Sequence, residues 1–255
     1  PEISDVLVPN CIYRCGCPET QSGPEETRCR WYETIVALHP KLASTDIQER
    51  YDEYNKLESV GEIHMKSMLK CNGELVTING HQMHIYRQGN QNAPAIVFMS
   101  GHCTVSPVYD FKVLYEKLSD HFKVIVIEKF GYGYSDICDS PCDIDTLVSL
   151  QRQALALAGE TGPYILTPHS MSGLEAIRWK QKYPDEVAGI VGIDMATPLS
   201  FSVWTDEELK KTVRLMKFLR GLKLGSILSS VSHLSLTEDE IKQHELLKKR
   251  NAFNI

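Results

Sequence analysis

Pro168-His169-Ser170-Met171-Ser172-Gly173 joins the apolar run YILT to a segment with helical periodicity. A serine among small residues at a strand-to-helix turn is the arrangement of a nucleophile elbow. The tight turn forces the serine into a strained backbone conformation. Small neighbours let the helix approach the strand, and the geometry lifts Oγ out of the sheet. The chemistry this suits is attack on a carbonyl carbon. Asp194 closes the next apolar run, VAGIVGID. An aspartate at a strand's C-terminal end can orient an imidazole in the crevice, or it can simply cap the following turn.

The surrounding elements must place these residues. ELVTING and HQMHIYRQG read as two strands joined at Asn79-Gly80, a pair that favours a tight hairpin turn. Residues 95–99 form a continuous apolar strand that ends at Ser100-Gly101-His102-Cys103. Ser106-Pro107 predicts a helix start, with Ser as cap and Pro in the first turn, and Phe111, Leu114, Tyr115 and Leu118 mark its buried side. Another strand follows at 123–127, then a Gly-rich turn, then a helix from Asp143 to Ala158. Glu175 to Tyr183 continues the helix after the elbow and stops before Pro184. Strands alternating with helices predict an α/β fold with a mostly parallel sheet covered on both faces.

The chain resembles the α/β-hydrolase superfamily through SGHCTVSP, EKFGYGYSD, PHSMSG and VGIDMA, from residue 74 to about 200. The family's usual elbow is G-x-S-x-G. Here Pro168 and Ser172 stand at the two flanking glycines, while Gly173 is present. The resemblance implies that Ser170 is the nucleophile of a hydrolase acting on an ester or similar acyl compound. It implies that Met171 supplies one oxyanion N–H and His102 the other, through its backbone. The family commonly has His-Gly at that loop, whereas this chain has Ser100-Gly101. Two N–H groups aimed at developing negative charge are the physical requirement, whatever their side chains. Asp194 is the acid that some family members place at this strand. Gly131 and Gly133 resemble the family's G-x-G turn and shape the backbone; a third glycine for a dinucleotide site is missing. No cofactor or metal is needed. A peptidase or amidase of the proline-iminopeptidase type remains an alternative, as does a non-catalytic binding protein on the same scaffold.

A serine nucleophile needs a general base. The family takes it from a loop after the last strand, late in the chain. After Asp194 this sequence reads as helices: Thr205 to Glu208 and Thr237 to Glu240 are capping boxes, and Leu209, Val213, Met216 and Leu219 follow the first with helical spacing. This resembles the family's inserted helical cap. His169 adjoins Ser170, but adjacent side chains at an elbow diverge. His233 and His244 lie in the cap segment; His64, His81, His84 and His121 fall far away in the order of the fold. The expectation is a chain whose last two strands, with the base histidine, lie on another polypeptide piece or are absent. A degenerate relative, or a base from the cap or a partner, are the other two accounts.

These elements divide the 255 residues into an N-terminal appendage (1–70), an α/β-hydrolase core (71–198) and a helical cap (199–255). The appendage holds Cys11, Cys15, Cys17 and Cys29, whose spacing leaves zinc ligation, disulfides and free thiols open. Cys138 and Cys142 lack the C-x-x-C spacing of a thiol oxidoreductase. Residues 34–69 read as helical, with a stripe at Ile47, Tyr51, Tyr54 and Leu57 and a cap at Ser44 or Thr45. The net charge of −6 argues against a nucleic-acid partner, and no apolar run approaches a membrane span. The cap has ten Lys or Arg against seven Asp or Glu, so a mildly basic lid covers an acidic body. That contrast suits an anionic substrate or plain charge pairing. The first residue is Pro1, which leaves the compartment open, with an upstream segment expected to have been removed.

Overall fold

The computed structural model describes residues 41, 46, 48, 49, 52, 67–102, 104–138, 143–202, 205, 207, 208, 210–212, 214, 215 and 235–251. The chain forms two compact units, Pro1–Ser67 and Met68–Ile255. In the first, Asp46 Oδ1 accepts from the N–H groups of Gln48 (2.8 Å) and Glu49 (3.2 Å), as a helix cap does. Ser44, Thr45 and the stripe Ile47, Tyr51, Tyr54 and Leu57 lie outside the described residues, as do Cys11, Cys15, Cys17 and Cys29.

In the second unit, β1 (Glu74–Ile78) and β2 (His81–Gly89) form the expected hairpin. Asn79 (φ 52°) and Gly80 (φ 84°) both take the left-handed conformation that such a two-residue turn requires. β3 (Ala95–Met99), β4 (Lys123–Glu128), β5 (Tyr164–Pro168) and β6 (Val187–Ile190) are parallel. The sheet order is β1-β2-β4-β3-β5-β6, with β2 antiparallel to β4.

The apolar runs are continuous because the inner strands are covered on both faces. Val97, Met99, Ile125, Ile127 and Leu166 share one core with α3 (Ile144–Leu157) and α4 (Ser172–Lys182), through Val148, Leu155, Ala176 and Trp179. Ile96, Phe98, Val124 and Val126 face the other way. They pack against α1 (Pro107–Asp110) and α2 (Lys112–Leu118), through Val108, Phe111 and Tyr115. Each fully buried aliphatic or Phe side chain contributes about 1.5–3 kcal/mol.

Three local expectations need correction. Leu114 is exposed, because the helix breaks at Phe111 into α1 and α2 and shifts the buried stripe to Phe111 and Tyr115. Ser106 precedes α1 but makes no cap bond; its hydroxyl donates to Glu128 at 2.7 Å. The strand expected to run to Asp194 ends at Ile190, followed by a single bridge between Ile193 and His169.

The segment after β6 is helical at α5 (Pro198–Phe201) and α6 (Glu238–Asn251). Both capping boxes are present: Thr205 pairs with Glu208, and Thr237 with Glu240. Leu209, Val213, Met216, Leu219 and His233 lie outside the described residues. α6 is tied to the body by Lys112–Glu240 (2.6 Å), Lys70–Asp239 (2.9 Å) and Arg250 Nη1, which donates to Gly133 O at 3.2 Å. No described helix is long and apolar enough to cross a membrane.

Candidate active site

The loops that leave the C-terminal ends of the parallel strands gather at one end of the sheet, where α/β folds place their ligands. The turn after β5 leads straight into α4. Ser170 has φ 52°, a left-handed conformation that costs an L-residue about 1–2 kcal/mol. Its carbonyl is gripped twice, by the N–H of Gly173 (3.0 Å) and of Ala196 (2.8 Å). His169 N–H donates to Met99 O at 2.9 Å, so the turn is also pinned to β3.

Ser172 adds a bond that glycine could not. Its Oγ accepts from His169 N–H at 3.0 Å and lies 2.7 Å from Met99 O, to which it donates. Two glycines provide the close approaches. A Cβ on Gly101 would lie 2.7 Å from Ser170 Cβ and 3.2 Å from its Oγ. A Cβ on Gly173 would overlap Ala196 O. The backbones of 101 and 194–196 therefore pass directly against the elbow.

Ser170 Oγ makes no hydrogen bond among the described residues, and its side chain is half-buried. The N–H groups of Met171 and His102 likewise take no acceptor among them. Asp194 (φ 45°) follows Ile193, whose N–H donates to Pro168 O at 2.8 Å. The structure thus brings Ser170, Met171, His102 and Asp194 to one end of the sheet. Asp194 is exposed and its carboxylate has no partner among the described residues.

The histidines are dispersed. The His169 ring meets Phe111 edge-on at 6.3 Å, and His81 meets Phe130 at 6.1 Å. His244 is buried edge-on to Tyr109 at 6.1 Å, and His121 is exposed. The His102 side chain reaches solvent, yet its packed protein side lowers its pKa, with Lys129 acting in the same sense and Glu175 against it. Lys129 Nζ forms a buried ion pair with Glu175 Oε1 at 2.8 Å, and Gln151 Nε2 donates to Glu175 Oε2 at 2.7 Å.

Sequence reasoning missed this pair, and also His84 and Glu128, which are fully buried and 2.9 Å apart. The available signal was a charged residue at the end of an apolar strand, Glu128-Lys129, which must find a partner when buried. The partners are remote in sequence, so no local spacing reveals them. Gly133 (φ 49°) leaves room for this carboxylate, because a Cβ there would overlap Glu128. No group of three or more His, Cys, Asp or Glu able to hold a metal occurs among the described residues.

The mixed central sheet, the flanking helices with a helical cap segment, and the elbow-like turn define the α/β-hydrolase fold. A putative lipase from Acinetobacter baumannii shares it, with a TM-score of 0.56 at 16% identity over 74% of this chain and 64% of that one. Est816, described as an N-acyl homoserine lactone degrading enzyme, superimposes with a TM-score of 0.50 at 19% identity, over 71% of this chain and 66% of that one. In sequence, the chain is 41% identical over 135 residues to the uncharacterized protein YbdG of Bacillus subtilis. It is 32% identical over 105 residues to an uncharacterized protein of Schizosaccharomyces pombe. These alignments take 53% and 41% of this chain, and the chain spans only 41% and 19% of those relatives' lengths. No family model matches.

Proposed function

We propose that this chain is a serine hydrolase acting on an ester or related acyl substrate. The observation that carries the reading is the state of Ser170. It is held left-handed between strand and helix, backed by a side-chain-free residue, and its hydroxyl has no hydrogen-bond partner among the described residues. Ser170 Oγ attacks the acyl carbon. The N–H groups of Met171 and His102 receive the oxyanion, a contribution worth about 3–4 kcal/mol per donor in such sites. A histidine from beyond this segment, oriented by Asp194 or a later acid, takes the serine proton. The tetrahedral intermediate collapses, the bond from the acyl carbon to the leaving oxygen breaks, and the imidazolium gives its proton to the departing alcohol. Water then attacks the acyl-enzyme as the imidazole takes a proton from it, the ester bond to Ser170 breaks, that proton passes to Oγ, and the free acid leaves. The reading asks for no cofactor.

The test is a fluorophosphonate probe on the folded full chain, read by intact mass and peptide mapping. One phosphonyl adduct on Ser170 is expected, absent in Ser170→Ala with an unchanged melting curve. A folded protein that stays unlabelled at Ser170 overturns the reading.

A further inference from the structure

Glu128 closes β4, beside β3 in the sheet, and its carboxylate is fully buried. Both oxygens are occupied by donors. Oε1 accepts from Ser106 Oγ at 2.7 Å and from Val108 N–H at 3.2 Å. Oε2 accepts from Tyr134 N–H at 2.7 Å and from His84 Nδ1 at 2.9 Å. The donors come from three segments: the chain after β3, the turn after β4, and β2. An ionised carboxylate can stay in a dry interior only with such partners. Burial alone would raise the Glu128 pKa, but His84, Ser106 and Tyr134 hold it below the ordinary carboxylate value. Burial lowers the His84 pKa in turn, and its neighbours, Glu128 among them, carry it up to about 9.

A carboxylate that only tied β2 to β4 would be complete with His84. Ser106 and Val108 extend the network to the chain that leaves β3. That chain passes Gly101 against Ser170, carries the His102 N–H, and reaches Glu128 at Ser106. Gly101, His102 and Thr104 make no hydrogen bond among the described residues. The loop is therefore held at its ends: at Gly101 by contact with the elbow, and at Val105-Ser106 by the residues around Glu128. At this second end Gly133 N–H donates to Val105 O at 2.8 Å. Gly133 also folds over the carboxylate, since a Cβ there would overlap it. The place of the His102 N–H beside Ser170 is set by where these two ends are pinned.

We propose, on the basis of the hydrolase reading above, that Glu128 is a positioning residue for the reaction at Ser170. Through Ser106 and Val108 it fixes the loop that presents the His102 N–H to the oxyanion. The carboxylate itself never meets the substrate. An oxyanion donor is effective because it stands in place before the charge develops. A displacement of about 1 Å can cost about a hundredfold in rate. Removing the Ser106 hydroxyl frees one end of the loop, so the His102 N–H is no longer held on the developing charge. Charge develops only as the bond to Ser170 Oγ forms, so the loss falls on the rate and not on binding.

The experiment follows fluorophosphonate labelling of Ser170 in the full chain over a range of probe concentrations. It yields the maximal rate and the half-saturating concentration, with a melting curve for each variant. Ser106→Ala is expected to lower the maximal rate roughly tenfold or more, with the half-saturating concentration unchanged within about twofold. Glu128→Gln, which places an amide where donors converge, should act in the same direction. Ser135→Ala is the control. Its hydroxyl is equally buried, donates to Glu128 O and accepts from His84 N–H at 2.8 Å, but bonds nothing in the loop. Its maximal rate should stay at the wild-type value even where its melting curve falls. A wild-type rate in folded Ser106→Ala or in folded Glu128→Gln overturns the proposal, as does an equal loss in Ser135→Ala. A wild-type chain that stays unlabelled at Ser170 overturns the hydrolase reading, and the positioning role with it.

Discussion

Gly101 matters for what it lacks. A methyl group there would stand 2.7 Å from Ser170 Cβ, closer than real side chains approach, and 3.0 Å from His169 O, tighter than most do. Something must then shift: the loop that carries the His102 N–H, or the elbow itself. Overpacking of this kind costs about 1–3 kcal/mol. Displacing a reacting group by 1 Å can cost about a hundredfold in rate. Gly101→Ala is therefore expected to lower stability by about 1–3 kcal/mol and to slow fluorophosphonate labelling of Ser170 more than tenfold. Gly189→Ala is the control, because nothing lies within 4 Å of its added methyl. Denaturant melts and labelling rates on both variants check this; equal rates in the two would remove Gly101 from the site.

Among the elements, the junction of β5 and α4 shows how a departure from the family's elbow pattern is accommodated. The resemblance has glycine where this chain has Ser172, and size alone would make the two interchangeable. The structure gives Ser172 a further role, because its hydroxyl bridges His169 N–H and Met99 O and so ties the elbow to β3. Ser172→Gly removes a buried hydrogen bond, worth about 0.5–1.5 kcal/mol, and adds backbone freedom at a helix start. A loss of about 1–2 kcal/mol is expected from these terms together. A melt showing equal or greater stability would mean that the serine is mere tolerance. This junction also marks how far the sequence could be read. Strand–turn–helix order, the hairpin at Asn79-Gly80 and both threonine capping boxes were legible, because apolar runs and caps are local signals. The Ser172 bridge, the diversion of the Ser106 hydroxyl to Glu128 and the early end of β6 were not. Each depends on which remote strand lies alongside. The same limit hid His84, which reads as a polar residue on a hairpin strand until β4 covers it with Glu128.

For the molecule as a whole, burying charged pairs inside the sheet unit sets how stability responds to pH. Glu128 is held below the ordinary carboxylate range, despite burial, by its donors. Its contribution is therefore present above the unfolded carboxylate pKa and is lost as pH falls through the folded one. Glu240 behaves the same way: burial raises it, but Lys112 and Thr237 outweigh that and lower it. Its loss in acid loosens α6 from α2. His84 has the opposite sign. Its pKa rises from 6.5 to about 9, so the folded state binds more protons than the unfolded chain across that window. Its contribution is complete below pH 6.5 and fades as pH climbs to about 9. The melting temperature should thus be highest between the carboxylate and imidazole ranges, near pH 5–6.5, and should fall toward pH 9. His84→Gln should be less stable at pH 6, with a flatter profile from 6.5 to 9, so the two curves converge as pH rises. Melts of both proteins in half-unit steps measure that convergence. Parallel curves across the window would show that His84 carries no proton into the folded core, and the imidazolium–carboxylate pair between β2 and β4 would have to be redrawn as a neutral hydrogen bond.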